Sequence, residues 1–432
     1  MSFLNTTQLY QGYTYGYPHK SAYRIFKERQ LKDIWQNQSL NDLFFYVHIP
    51  FCEMRCGFCN LFTVANPKGG VMAYLKAVQR ELKTYQSNFP EASFAQFAIG
   101  GGTPTFLNKD EMTFLFQIIN DFGLDLSTIF GSIEASPKTL SKEKINLIEQ
   151  AGITRLSLGI QSWLDEETKA LGRPQEVKQT EATVDLLAAS SIPEFNLDLI
   201  YGAENQTIES FIYSLEKTIA YQPTEVFLYP LYIRQLTGLG KKAKAASIHR
   251  EALYMTGRET LLNAGYVQTS MRCFRKESAP DLFPNSNYDS IQSGMIGIGA
   301  GARSYTQELH YSSDYAVDRQ EIKSIISQYS AQHDFNKINY GFELNLEEQK
   351  RRFLIKSLTD GGELATQKYS EMFRSNPFME FELLAKLDEQ GMLWENEGVL
   401  GLKSEAMKYE DVIGPALYSE KAKTLMEGFE WK

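Results

Sequence analysis

The sequence predicts an α/β protein. Six strand–helix units build an incomplete β/α barrel or an open doubly wound sheet, and a mostly helical, winged-helix-like unit follows. Three observations carry this reading. Between residues 44 and 233, short apolar runs alternate with amphipathic stretches whose apolar residues return every three to four positions. Polar and glycine-rich oddities fall where the apolar runs end, on the rim where β/α proteins collect their chemistry. From about residue 345, helical patterns give way to a hairpin.

The elements follow in order. Residues 1–43 form an aromatic-rich arm with Tyr10, Tyr13, Tyr15, Tyr17, His19, Lys20, Tyr23 and Arg24. Such tyrosines either pack on the barrel or cover a substrate's apolar face while Lys20 or Arg24 meets an acidic group. Residues 44–235 form the partial (β/α)6 barrel, with strands expected at 44–50, 93–100, 131–136, 154–162, 195–202 and 224–233. The intervening stretches, such as "VMAYLKAVQRELKTYQ" and "TIESFIYSLEKTIAY", carry helical periodicity. Ala151-Gly152 reads as a helix stop before the fourth strand. Residues 236–340 are a barrel extension with a helix over 244–263, a strand-like "GYVQTS" and the glycine-rich "GMIGIGAGARSY". Residues 341–432 are the winged-helix-like unit, its hairpin turning near Asn396 to Gly398.

A chain of 432 residues with 43% hydrophobic and 13% aromatic residues has ample core for two to three domains. A formal charge of -9 argues against a general nucleic-acid binder. The N-terminus lacks the basic start and apolar run of a signal peptide, and no later run is long enough to cross a membrane. A cytoplasmic location is therefore expected.

In a reducing compartment, clustered cysteines point to a metal or redox site. "HIPFCEMRCGFC" places Cys52, Cys56 and Cys59 within eight residues, three of the four cysteines of the chain. An iron–sulfur cubane normally takes four thiolates, one per iron, so three leave one iron open to a ligand. The competing reading is a tetrahedral zinc completed by His48 or Cys273. Cys273 otherwise stands alone between Arg272 and Arg275, cations that lower a thiol's pKa, although a spare buried thiol is the commoner arrangement. Gly100-Gly101-Gly102-Thr103, directly after the second strand, lets backbone N–H groups approach a small charged ligand.

C-x3-C-x2-C after a first strand, followed in order by "GGGTPTFL", "SIEASP", "LGIQSW", "LGR" and "NLDLIYG", resembles the radical S-adenosylmethionine (SAM) superfamily. The likeness is to its oxygen-independent coproporphyrinogen III oxidase-like branch. That branch also holds heme chaperones and class C radical methyltransferases. The resemblance is clear over residues 44–235. It implies a 4Fe-4S cluster on Cys52, Cys56 and Cys59, and a SAM that chelates the open iron. Tyr46 then faces the sulfonium, and Glu134 pairs with the SAM amino group. Phe58, Gly101, Gly102 and Thr103 complete the SAM site, and Gln161, Arg173 and Asp198 match residues that contact a second SAM. The catalytic residues implied are Tyr46 and Glu134. A flavodoxin- or ferredoxin-type electron donor is implied as partner, with a tetrapyrrole or other small organic molecule as substrate.

Two departures bear on the reaction. Leu61 stands where the oxidase carries a further cysteine. "PNSNYD" keeps Asn285 and Tyr288 of the chaperones' heme motif but has Pro284 and Asp289 in place of its histidine and tryptophan. The expected function is therefore hydrogen abstraction by a 5'-deoxyadenosyl radical, with a second SAM as co-substrate for methyl or one-carbon transfer. The alternatives are a tetrapyrrole oxidoreductase and a heme-binding carrier.

Overall fold

The computed structural model describes the chain apart from residues 1–3, 5–8, 11–15, 68, 243, 285, 360 and 432. One open sheet of thirteen strands dominates it. Its centre is seven parallel strands: Met295–Ile298, Leu43–Ile49, Phe94–Gly101, Phe130–Ala135, Arg155–Gln161, Glu194–Tyr201 and Glu225–Pro230. The six expected strands are all present, each within a residue or two except the last, which stops at Pro230. Proline has no N–H to continue the ladder.

The alternation along these strands explains the layers. Phe45, Val47, Phe97, Ile99, Ile133, Leu158, Leu197 and Leu228 all point to one face and are at most 1% exposed. They pack under helices such as Val71–Asn88, Lys109–Asp121 and Ile208–Ala220, whose Leu75, Val78, Leu115, Phe211 and Leu215 belong to the same core. The partner positions across the parallel register, Glu134 with Ser157 and Gly159 with Asp198, point to the helix-free face. That face is polar, and Arg155, Glu225, Arg275 and Glu194 chain ion pairs across it at 2.5–3.0 Å.

Antiparallel strands extend both ends of the sheet. Arg303–Tyr305, Leu309–Ser312, Lys337–Glu343 and Arg24–Gln30 continue it beyond Met295–Ile298, and Cys273–Lys276 and Tyr266–Gln268 extend the other end. The glycine-rich segment is thus a strand–turn–strand hairpin with positive φ at Gly299 and Gly301. The helix expected from residue 244 begins at Arg250, because Ser247 N–H is drawn to the Gly202 carbonyl (2.9 Å) and residues 244–249 run as a loop.

The C-terminal part is mostly helical and has its own core. Leu346–Leu358, Leu364–Ala365, Thr366–Phe373, Glu382–Glu389 and the hairpin Leu393–Asn396/Val399–Leu402 follow one another in the winged-helix order. Glu397 and Gly398, at φ 50 and 79, make the turn. Tyr17, Ala22 and Tyr23 belong to this second core. The Tyr17 hydroxyl donates to Glu348, and Ser419 N–H donates to Tyr17 (3.3 Å). Among the described residues no helix is long and apolar enough to cross a membrane.

Candidate functional site

The first core strand ends at Ile49 and the chain turns at once into the cysteine loop. Phe51–Cys52 pairs in parallel with Val64–Ala65, closing the loop between them. Gly57 docks it: its N–H donates to the Gly172 carbonyl (3.1 Å), and its carbonyl accepts from Leu239 N–H (2.7 Å). A Cβ on Gly57 would lie 2.7 Å from the Leu171 carbonyl oxygen, so only glycine lets the loop seat this deeply.

The glycine run docks from the other side. Gly102 N–H donates to Ile49 and Thr103 N–H to Phe51, each at 2.8 Å. Gly101, at φ +110, donates its N–H to Glu134 Oε2 at 3.0 Å. Burial raises the Glu134 carboxyl to about 7, the Gly101 N–H partly opposing it. The carboxyl is hemmed in by sheet atoms yet open to solvent at the strand ends, which tempers that shift.

Each cysteine sulfur has a polar side chain beside it, and Cys59 also has the Leu61 backbone. The Thr103 hydroxyl donates to Cys52 Sγ (3.6 Å), Arg173 Nη1 to Cys56 Sγ (3.8 Å), and Thr63 Oγ1 lies 4.0 Å from Cys59 Sγ. The three cysteines line one cavity of about 140 Å³ with Phe58, Gly102 and Thr103. Burial and then the nearby Cys59 push the Cys52 thiol up to about 12, and burial with Cys56 raises Cys59. Three thiolates held together in this cavity therefore need a cationic centre among them, which a cluster's irons provide. Among the described residues no three Cys, His, Asp or Glu side chains close around a single point, as a mononuclear ion requires.

His48 does not serve as a fourth ligand. Its Nε2 faces the Phe62 carbonyl (3.0 Å), which only accepts, so Nε2 carries the proton and Nδ1 accepts from the Tyr46 hydroxyl (3.1 Å). Burial lowers its pKa to about 4, keeping it neutral. Cys273 pairs across from Phe227, well along the sheet from the cysteine loop. Burial pushes its thiol up to about 12, outweighing Arg155 and Arg275, so the neighbouring cations do not activate it.

The other expected site residues fall as follows. Phe58 is half-buried and packs on the small cluster of Leu171, Ile200 and Leu239 while lining the cavity. Gln161, Arg173 and Asp198 meet around Gly159. Arg173 Nη2 donates to the Gly159 carbonyl (2.9 Å), Asp198 lies opposite Gly159 in register, and a Cβ on Gly159 would lie 2.5 Å from Gln161 Nε2. Gln161 holds φ +66 at a bulge, a strained conformation for a residue with a side chain. Asp198 accepts from Asn196 Nδ2 (2.6 Å), and burial raises its pKa. Arg24 is turned away from the sheet mouth, donating to the Leu425, Ser21 and Tyr23 carbonyls. Asp289 pairs with Lys368, and Tyr288 packs on Phe44. Tyr13, Tyr15 and Asn285 lie outside the described residues. Thr63, Gly57 and Gln175, whose amide reaches the Ile160 carbonyl, are functional neighbours that sequence reasoning missed; only Gly57, inside the cysteine spacing, carried a signal.

Comparison with known proteins accords with this geometry. Residues 46–217 match the Radical SAM superfamily. That match spans the cysteine loop, the glycine run and Glu134, which accords with a 4Fe-4S cluster and SAM in this cavity. More narrowly, it is related to the oxygen-independent coproporphyrinogen III oxidases and heme chaperones. It is 26% identical over 419 residues to the oxygen-independent coproporphyrinogen III oxidase of Escherichia coli, covering 89% of each chain. It is 28% identical over 274 residues to the heme chaperone HemW of Haemophilus influenzae, covering 61% of this chain and 70% of the chaperone. The solved structure of the Escherichia coli coproporphyrinogen III oxidase superposes with a TM-score of 0.75 at 22% identity over 88% of this chain and 91% of the other, which shows a shared fold.

Proposed function

We propose that this protein is a radical SAM enzyme that starts its reaction by abstracting hydrogen from a small organic substrate. The observation that supports it most is the single cavity in which Cys52, Cys56 and Cys59 each meet a polar side chain beside the Gly101–Thr103 backbone. When bound, the cluster supplies the electron that splits SAM into methionine and a 5'-deoxyadenosyl radical.

The residues of the chain do the positioning. Cys52, Cys56 and Cys59 would hold three irons, and the groups beside their sulfurs, two hydroxyls and one guanidinium, would stabilise negative charge there. Gly101 and Gly102 bring backbone close to the ligand, and Glu134, ionised above about pH 7, would accept from the SAM amino group. Tyr46, tied to His48, fixes the wall of the site on the first strand. Phe58 shields the cavity from water.

Around Gly159, Gln161 offers an amide, Arg173 a planar fork for a carboxylate, and Asp198 an acceptor for an ammonium. These are the complements of an amino-acid group, so we assign them to a second SAM that acts as co-substrate in methyl or one-carbon transfer. Relatives named for coproporphyrinogen oxidation and for heme delivery supply the competing outcomes. Product analysis under anaerobic, reducing conditions separates them. S-Adenosylhomocysteine beside 5'-deoxyadenosine marks methyl transfer. Carbon dioxide from a tetrapyrrole propionate without S-adenosylhomocysteine marks oxidative decarboxylation. Stable heme binding with no SAM cleavage marks a carrier.

A further inference from the structure

The N-terminal segment brings positive charge to the mouth of the sheet beside the cysteine loop. Lys20 is 8% exposed, and its ammonium donates to the Gly301 carbonyl and lies 5.7 Å from the centre of the Tyr315 ring. Among the described residues no carboxylate pairs with it, and the charged group that acts on it is another cation, Arg303. His19 sits next to it, edge-on to Tyr315 at 6.2 Å, and the charges that bear on it are Arg303, Arg234 and Lys20. The Arg303 guanidinium occupies the space a side chain on Gly16 would need, 2.6 Å from its Cβ position. Four cationic or protonatable groups therefore converge where the chain as a whole carries -9. Burying an ammonium without an opposite charge is costly, and the arrangement becomes favourable once an anion enters.

The location gives the arrangement its meaning. Gly301 packs on Phe62, whose carbonyl holds His48 and through it Tyr46. Arg55 of the cysteine loop donates to the Val317 carbonyl (2.8 Å), two residues beyond Tyr315. Arg234 follows the sixth strand of the original barrel, and the turn after it packs Leu239 on Gly57. The cations thus flank the cysteine loop. Lys20, on the Gly301 carbonyl, and Arg303 lie on the side of the first strand opposite Gly101 and Glu134, because Met295–Ile298 and Phe94–Gly101 pair with different edges of that strand, and Arg234 reaches His19 from beyond the last parallel strand, Glu225–Pro230. The SAM amino group and its pairing carboxylate belong to the Gly101 and Glu134 side.

We propose that His19, Lys20, Arg234 and Arg303 form a subsite for an anionic group of the substrate, a carboxylate or a phosphate, and so hold the substrate over the radical-generating centre. The proposal rests on the functional reading above, and its test is independent of it. Binding is measured by calorimetry on the full-length reconstituted protein, without SAM or reductant. The probes are citrate, inorganic phosphate and, as an uncharged control, triethyl citrate.

Citrate binds and triethyl citrate does not. Arg234→Gln, at an exposed position, weakens citrate by about tenfold, the loss of one charged contact. Lys20→Met weakens it at least as much. Phosphate that competes with citrate assigns the subsite to either anion, and phosphate that fails to compete assigns it to carboxylates. The proposal is overturned if neither anion binds at millimolar concentration, if triethyl citrate binds as well as citrate, or if Arg234→Gln binds citrate with unchanged affinity. Formation of 5'-deoxyadenosine by the wild-type protein tests the enzyme reading separately, so the two can fail independently.

Discussion

Replacing Gly102 by alanine tests how the cysteine loop is seated. The added Cβ would lie 2.6 Å from the Phe51 carbonyl oxygen, 2.8 Å from that of Ile49 and 3.0 Å from Cys52 Sγ. Ordinary contact needs about 3.5 Å, so the two segments must part by about 0.9 Å. The same two carbonyls accept the Thr103 and Gly102 N–H groups at 2.8 Å, so parting them weakens two backbone hydrogen bonds. At about 1 kcal/mol for each bond and about 1–3 kcal/mol for overpacking, Gly102→Ala costs about 3–5 kcal/mol. It also displaces the Cys52 sulfur from its two companions. Urea unfolding of the cluster-free protein reads the first effect, and iron and sulfide content after anaerobic reconstitution reads the second. Wild-type stability together with a full complement of iron in Gly102→Ala would refute this account of the loop.

Glu134 provides a pH signature. Its carboxyl is raised to about 7 by burial, and the proposed pairing with the SAM amino group needs it ionised, as an acceptor. Calorimetric SAM affinity should fall more steeply below pH 7 in the wild type than in Glu134→Gln, by up to about tenfold more for each pH unit, and should be weaker in the variant at neutral pH. Glu81, on the helix Val71–Asn88, accepts from Gly299 N–H (2.8 Å) and the Tyr329 hydroxyl (2.5 Å), and burial raises it from 4.5 to about 7. A raised carboxyl keeps its proton longer in the folded state. The wild type should therefore lose stability as pH rises from about 4.5 to about 7, and thermal unfolding of Glu81→Gln should show a shallower slope, the remainder coming from Glu134. Cys273→Ala should leave the reconstituted iron content unchanged, because it sits opposite Phe227 in the sheet, near Glu225 and Arg155, and does not line the cavity. Cys56→Ala should lower it.

The strands of the barrel were legible because each carries a long apolar face and ends at a turn. Period-two alternation is a local property, and it sets Phe45 and Val47 against Tyr46 and His48 without reference to the rest of the chain. The seventh parallel strand was not legible. Met295–Ile298 is four residues long within a glycine-rich run, and its pairing with Leu43–Ile49 spans some 250 residues. Arg24–Gln30 looked like part of an arm because its burial is slight, and only its pairing with Lys337–Glu343 makes it a strand. At the site, the cysteines and the glycine run announced themselves by composition. The approach of Arg173 to Cys56, and the commitment of both His48 nitrogens, depend on how separate loops dock. The same holds for Tyr17, whose partner Glu348 lies 331 positions away.

The most direct measurement is 5'-deoxyadenosine formed by the anaerobically reconstituted, chemically reduced protein supplied with SAM. The wild type should form 5'-deoxyadenosine and methionine in step with its iron content, and Cys56→Ala should form none. A fully loaded and reduced cluster that leaves SAM intact would contradict it.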